Sequence, residues 1–155
     1  MIYIRGFSGK GSQCFLCKAY KENRDAENLV VYRGKKCFTI LNRYPYNNGH
    51  LMIAPYKHAG KLTDLDEEEL AEIMSLLKLS VEVLEKEYNP DGFNIGLNLG
   101  RAAGAGLEEH LHFHVVPRWV GDTNFMPIVS DTKVIPESFY ESWKRIRKRF
   151  RSLKA

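Results

Sequence analysis

The 155-residue sequence predicts an α+β domain with a mainly antiparallel sheet, and three observations predict it. Strand-like segments both precede and follow one long amphipathic helix. Most of these segments are joined by short turns. A second amphipathic stretch closes the chain.

Taken in order, Leu29 to Tyr32 and Cys37 to Leu41 are β-branched or aromatic runs. Arg33-Gly34-Lys35-Lys36 between them reads as a hairpin turn. The loop from Asn42 to Gly49 carries turn chemistry in Pro45 and Asn47-Asn48-Gly49, and a strand follows at His50 to Ala54, stopped by Pro55. The long helix is expected from Asp66 to Tyr88, capped by Thr63 or Asp64. Asp66, Glu67, Glu68 and Glu69 place negative charge at the positive end of its dipole. Leu70, Ile73, Met74, Leu77, Val81, Leu84 and Tyr88 recur at spacings of three and four and form its apolar stripe. Asn89-Pro90-Asp91-Gly92 ends it. Strands at Phe93 to Leu99 and His110 to Trp119 come next, around the glycine-rich Gly100 to Gly106 loop. A last helix from Pro136 to Arg151 would turn Phe139, Trp143, Ile146 and Phe150 inward.

A chain of this length forms one domain, residues 1–155, with a substantial core. Its 44% hydrophobic and 27% charged residues exclude a disordered or fibrous chain. No apolar run approaches the ~18 residues that a membrane span needs. MIYIRGFSGKGSQ has no apolar signal core, so a cytoplasmic location is expected. Seven of the 23 basic residues lie beyond Glu141. The first 143 residues therefore carry sixteen bases against 19 acids, a net −3. The positive charge belongs to the C-terminal helix, which argues against a nucleic-acid footprint over the whole body.

All five histidines fall in three short stretches. The densest is His110-Leu111-His112-Phe113-His114, where alternation on a strand puts three imidazoles on one face and Leu111, Phe113 and Val115 on the other. A fully extended row of this kind spans about 13 Å, too long for three ligands of one ion. One end serving structure and the middle serving chemistry is the expected division. Cys14-Phe-Leu-Cys17 is a pair suited to metal binding or redox work rather than to a structural disulfide, whereas Cys37 reads as a buried small hydrophobe.

The string His110-x-His112-x-His114 followed by two apolar residues resembles the signature of the histidine triad (HIT) superfamily of nucleotidyl hydrolases and transferases. Asn42-Arg43-x-Pro45 and Gly49-His50-x-x-x-x-Pro55-x-x-His58 resemble its upstream block. The stretch HLHFHVVPRWVGDTNF is similar to the diadenosine tetraphosphate phosphorylase or hydrolase branch. The resemblance implies a HIT-like fold, a nucleotide substrate and a homodimer. It implies His112 as a nucleophile forming a nucleotidyl-histidine, with His50 and His114 polarising phosphate oxygens. It also implies nucleotide contacts from Asn42 to the ribose, from Asn98 near the phosphate, and from the backbone of Gly104, Ala105 and Gly106. Cys14, Cys17, His58 and His110 would together hold a structural Zn²⁺. One departure stands out: Gly106-Leu107-Glu108-Glu109 precedes the triad, where many members place Ser or Gln. Phosphorolysis and hydrolysis both remain open at this level. So do a nucleotide-binding module with weak catalysis and a uridylyltransferase-like enzyme.

Overall fold

The computed structural model describes residues 14–122, 135 and 137–154. Pro136, at the expected start of the last helix, lies outside them, as do residues 1–13. Two short helices open the described chain, α1 (Phe15–Lys21) and α2 (Asp25–Asn28). Strands β1 (Val30–Arg33), β2 (Cys37–Leu41) and β3 (Leu51–Pro55) follow, then helix α3 (Glu67–Tyr88). Strands β4 (Gly92–Leu97) and β5 (Phe113–Arg118) and helix α4 (Phe139–Lys154) complete it. The five strands form one sheet in the order β1-β2-β3-β5-β4, with every neighbouring pair antiparallel.

The sheet is assembled around β2 and β3, whose residues are all buried. Helix α3 packs on this layer through Ile73, Leu76, Leu77, Val83 and Leu84. Its buried face is rotated from the expected stripe: Met74 is 64% exposed, while Leu76, Ser80 and Glu69 are buried. Its cap also differs. The Asp66 carboxylate accepts from the Glu69 amide at 2.7 Å and Glu69 accepts from the Asp66 amide at 2.8 Å, a reciprocal capping box. Neither Thr63 nor Asp64 is used, because both lie in a 3₁₀ turn one step earlier. On α4, Ile146 and Phe150 are fully buried and Trp143 donates its indole N–H to the Val30 carbonyl at 2.9 Å. Phe139 is 40% exposed instead of facing inward, since it stands at the first turn of α4.

Two departures bear on the site. Cys14 and Cys17 sit at a helix start that the sequence reading does not include, with Cys14 as N-cap of α1. The last strand begins at Phe113, not His110. The Leu111 amide donates instead to the Ala59 carbonyl at 2.8 Å. Residues 110–112 thereby leave the sheet and lie against the 58–60 loop. Gly60 permits that approach, since a Cβ there would fall 2.7 Å from the Glu108 carbonyl oxygen.

The β1–β2 hairpin is tied to α3 by one carboxylate. Glu72 accepts from the backbone amides of Lys35, at 2.8 Å, Lys36, and Cys37, at 2.8 Å. Burial acts to raise its pKa, and these three amides outweigh burial, so the carboxyl titrates below its usual range. Removing it in Glu72→Ala leaves three donors without a partner. The expected cost is about 2 kcal/mol, or a fall in Tm of about 4–8 °C, read by thermal unfolding at pH 7.

Candidate functional site: a metal-ligand cluster beside a histidine relay

Four side chains meet where α1, the 58–60 loop and residue 110 converge. Cys14, Cys17, His58 and His110 place their donor atoms within 4.8 Å of one another. Cys14 Sγ lies 3.2 Å from His110 Nδ1, Cys17 Sγ 3.3 Å from His58 Nδ1, and the two Nδ1 atoms are 3.3 Å apart. A tetrahedral zinc with bonds of about 2.3 Å to sulfur and about 2.05 Å to nitrogen has edges of about 3.6 Å (S···N) and about 3.3 Å (N···N). The cluster therefore has the dimensions of a tetrahedral metal site. Burial, then the neighbouring Cys14, push the Cys17 thiol up to about 11. A cation at the centre would reverse that by favouring the thiolate. His110 is fully buried, and its Nε2–H donates to the Pro55 carbonyl at 2.8 Å, which leaves Nδ1 bare and aimed at the cluster.

The other three histidines form a second group, and hydrogen bonds to the backbone settle their protons. His112, 7% exposed, has Nδ1 2.9 Å from the His110 carbonyl oxygen. A carbonyl only accepts, so Nδ1 carries the hydrogen and Nε2 is left with a lone pair. His50 is read the same way from the opposite sign. The Tyr46 amide, which only donates, lies 3.1 Å from His50 Nδ1. Neutral His50 therefore carries its hydrogen on Nε2 and donates it to His114 Nδ1 at 2.9 Å. His114 in turn keeps its hydrogen on Nε2. The rings of His112 and His114 are edge to face, 4.9 Å apart.

Desolvation holds these rings neutral. Burial first, then the neighbouring His114 and His112, lower His50 to about 3. Burial, then His112, lower His114 to about 4. Burial also holds His112 below its ordinary value, against the opposing effect of the His110 carbonyl.

The sequence matches what this geometry suggests. Residues 23–120 match the HIT domain family. The chain belongs to the HIT family. An AP-4-A phosphorylase of Mycobacterium tuberculosis is 52% identical over 113 residues, which are 73% of this chain and 58% of that protein. The chain thus spans little more than half the length of that curated relative. Among solved structures, a Zn-bound histidine triad family protein from Mycobacterium smegmatis is 25% identical with a TM-score of 0.73, covering 92% of this chain and 96% of that one. A hypothetical histidine triad nucleotide-binding protein from Sulfolobus tokodaii is 31% identical at the same TM-score, covering 91% and 94%. The HIT-like fold expected from the sequence is therefore the fold observed. Among the described residues of this HIT chain, no helix is long and apolar enough to cross a membrane.

The remaining expected site residues are placed unevenly. His50 is completely buried and bonds to His114 through Nε2 at 2.9 Å. Asn42 is also buried: its Oδ1 accepts from the Tyr44 amide at 2.9 Å and its Nδ2 lies 3.3 Å from His50 Nδ1. Its side chain shapes the loop beside His50. Asn98 is half-buried just past β4. Gly104 and Ala105 already donate their amides, to the Arg101 and Gly100 carbonyls, so of the three residues Gly104, Ala105 and Gly106 the last alone keeps an amide without an acceptor among the described residues.

Sequence reasoning missed Tyr46 and the residues that hold its loop. Asn47 Nδ2 donates to the Pro117 carbonyl at 3.1 Å and to Asp122 at 2.7 Å, and Asp122 is gripped by Arg118. The Tyr46 ring, 57% exposed, stacks on His50 at 4.9 Å. A backbone amide leaves no signature in residue type, although the exposed tyrosine beside the His50 motif was visible.

The depressed imidazoles of His50 and His114 make stability depend on pH. Unfolded, both titrate near 6.5; folded, they hold near 3 and 4. The unfolded chain binds more protons in this window, so their contribution is full above about pH 6.5 and is lost as pH falls toward 4. Chemical denaturation across pH 4–8 should show this decline, and His114→Gln should make it shallower than in the parent.

Proposed function

We propose that this chain cleaves a dinucleoside polyphosphate of the diadenosine tetraphosphate type at its α-phosphorus, with His112 as nucleophile and inorganic phosphate as acceptor. The observation that carries the reading is the His112 ring, anchored at Nδ1 by the His110 carbonyl with Nε2 bare beside His114. The identity to an AP-4-A phosphorylase supports the choice of substrate and of phosphate.

In the first step the Nε2 lone pair forms a nitrogen–phosphorus bond as the bond to the departing nucleoside triphosphate breaks. The bond's electron pair leaves with that nucleotide. Nδ1–H stays on the His110 carbonyl and steadies the positive charge gathered by the ring. His114 directs Nε2–H at a phosphate oxygen, where negative charge grows, and His50 holds it there through the bond to Nδ1. Asn98 and the Gly106 amide are the further nucleotide contacts in this reading. In the second step an oxygen of inorganic phosphate attacks the same phosphorus and the nitrogen–phosphorus bond breaks, returning the pair to Nε2. The products are ATP and ADP. A terminal phosphate with a second pKa of about 6 departs as an anion at pH 7 without being handed a proton. This accounts for a loop that reads Leu107-Glu108-Glu109 where other members place Ser or Gln.

Cys14, Cys17, His58 and His110 fit a zinc ion in number, type and spacing. Two thiolates and two imidazoles close the coordination sphere, so the ion's contribution is structural: it ties α1 to the residue two before the nucleophile. The wider assembly in this reading is a homodimer, supported by the outer strand β4 and the exposed Ile95 and Leu99 on and beside it.

Incubation with diadenosine tetraphosphate and phosphate should give ATP and ADP. ATP with AMP at every phosphate concentration would replace phosphorolysis with hydrolysis, and tight binding without turnover would remove the enzyme reading. His112→Ala should lower kcat at least about 10³-fold and abolish an acid-labile, base-stable nucleotidyl adduct.

Metal analysis should find about one zinc per chain, lost in Cys14→Ser/Cys17→Ser. That variant should melt earlier and keep residual turnover. Loss of turnover with an unchanged Tm would overturn the structural role.

A further inference from the structure

Helix α4 carries a row of cations that the histidine site does not use. Lys144, Lys148 and Arg151 stand at i, i+4 and i+7, so they share one face of the helix. Each is exposed, and none has an ion pair among the described residues. This sets them apart from their neighbours. Arg145 is held by Glu137 and Glu87, Arg149 by Glu87, and Arg147 by Asp25. Together with Asn23, Asp25, Ala26, Trp143 and Arg147, the three free cations line a cavity of about 620 Å³ between α4 and the start of α2.

The chemistry of the lining defines the occupant. Asp25 is the acidic member, and both of its oxygens are already taken: Oδ1 by Arg33 at 2.7 Å and Oδ2 by Arg147 at 2.8 Å. It therefore offers the three unpaired cations no competing anion. Three like charges within two helical turns repel one another unless an anion bridges them. Trp143 stacks on Tyr140 and has the Arg147 guanidinium over its ring, so its aromatic surface is engaged within the protein and not offered to a base. The cleft also stands apart from the histidines, because α4 packs on β1, at the opposite edge of the sheet from β4 and β5.

We propose that this cleft is a second anion site that binds a chain of linked phosphates, with Lys144, Lys148 and Arg151 as its charge partners. The chain could be inorganic polyphosphate or the phosphate tail of a nucleotide; the recognition is the same. This proposal uses none of the histidines and stands whether or not His112 is a nucleophile.

Tripolyphosphate, ATP and a ten-nucleotide single-stranded RNA are titrated into the full zinc-loaded chain and followed by NMR. The signals are the Trp143 indole N–H and the amides of residues 144–151. The expected result is saturable movement of those signals with tripolyphosphate, weakened by added salt. Lys148→Ala/Arg151→Ala should weaken this binding by at least about tenfold and leave turnover at the histidine site unchanged. Lys148→Arg/Arg151→Lys, which keeps the charges, should restore it. ATP binding as tightly as tripolyphosphate, with equal loss in the alanine variant, marks the phosphate tail as the recognised part. Movement confined to the His112 and His114 amides would overturn the proposal. So would binding of RNA alone, or an affinity unaffected by the alanine pair.

Discussion

Each imidazole near the sheet has two nitrogens, and its chemistry depends on which one holds the hydrogen. In this protein three backbone groups decide the matter. The Pro55 carbonyl takes the hydrogen of His110 Nε2 and leaves Nδ1 for the cysteine cluster. The His110 carbonyl takes the hydrogen of His112 Nδ1 and leaves Nε2 bare. The Tyr46 amide occupies His50 Nδ1, and the consequence passes through His50 Nε2–H to His114. A carbonyl cannot donate and an amide cannot accept, so each assignment is forced. Burial also lowers the pKa of all four rings and so disfavours a second proton on each.

That constraint explains why so much of the surrounding structure is devoted to positioning backbone. The Tyr46 amide reaches His50 because Asn47 bonds Pro117 and Asp122, and Asn42 braces the start of the same loop. The His110 carbonyl faces its own neighbour's ring because residues 110–112 have left the sheet to lie on the 58–60 loop. His110 thus serves two groups at once. Its ring joins the metal-ligand cluster and its carbonyl orients His112. The cluster and the relay are one mechanical unit joined at that residue.

Much of this was legible in the sequence. β-Branched and aromatic runs bounded by turn residues, with the alternation of the histidine stretch, located all five strands within a few residues, and apolar residues at spacings of three and four located α3. Cys14-x-x-Cys17 and five clustered histidines marked where the chemistry concentrates. The errors share a cause. Periodicity picked Met74 over Leu76 because a core-facing helix stripe is about 100° wide, and only the packing of α3 on β2 and β3 chose the buried edge. The alternating triad suggested a strand from His110, but alternation describes side chains and does not report where backbone hydrogen bonds go. Leu111 found its partner in Ala59, fifty-two positions earlier. The burial of His50 and Asn42, and the bond from His50 to His114, left no mark in the sequence.

The sequence by itself determined the inventory: which donor atoms exist, how they are spaced, and that the free positive charge sits on the last helix. Residue type and local spacing suffice for those, because they are covalent facts. The tertiary structure alone decided the position of each histidine's hydrogen and which cations of α4 stay unpaired, and it brought His58 and His110 to the two cysteines as the family resemblance implies. Those depend on groups brought together from distant parts of the chain, several of them backbone amides and carbonyls that every residue possesses and no side chain announces.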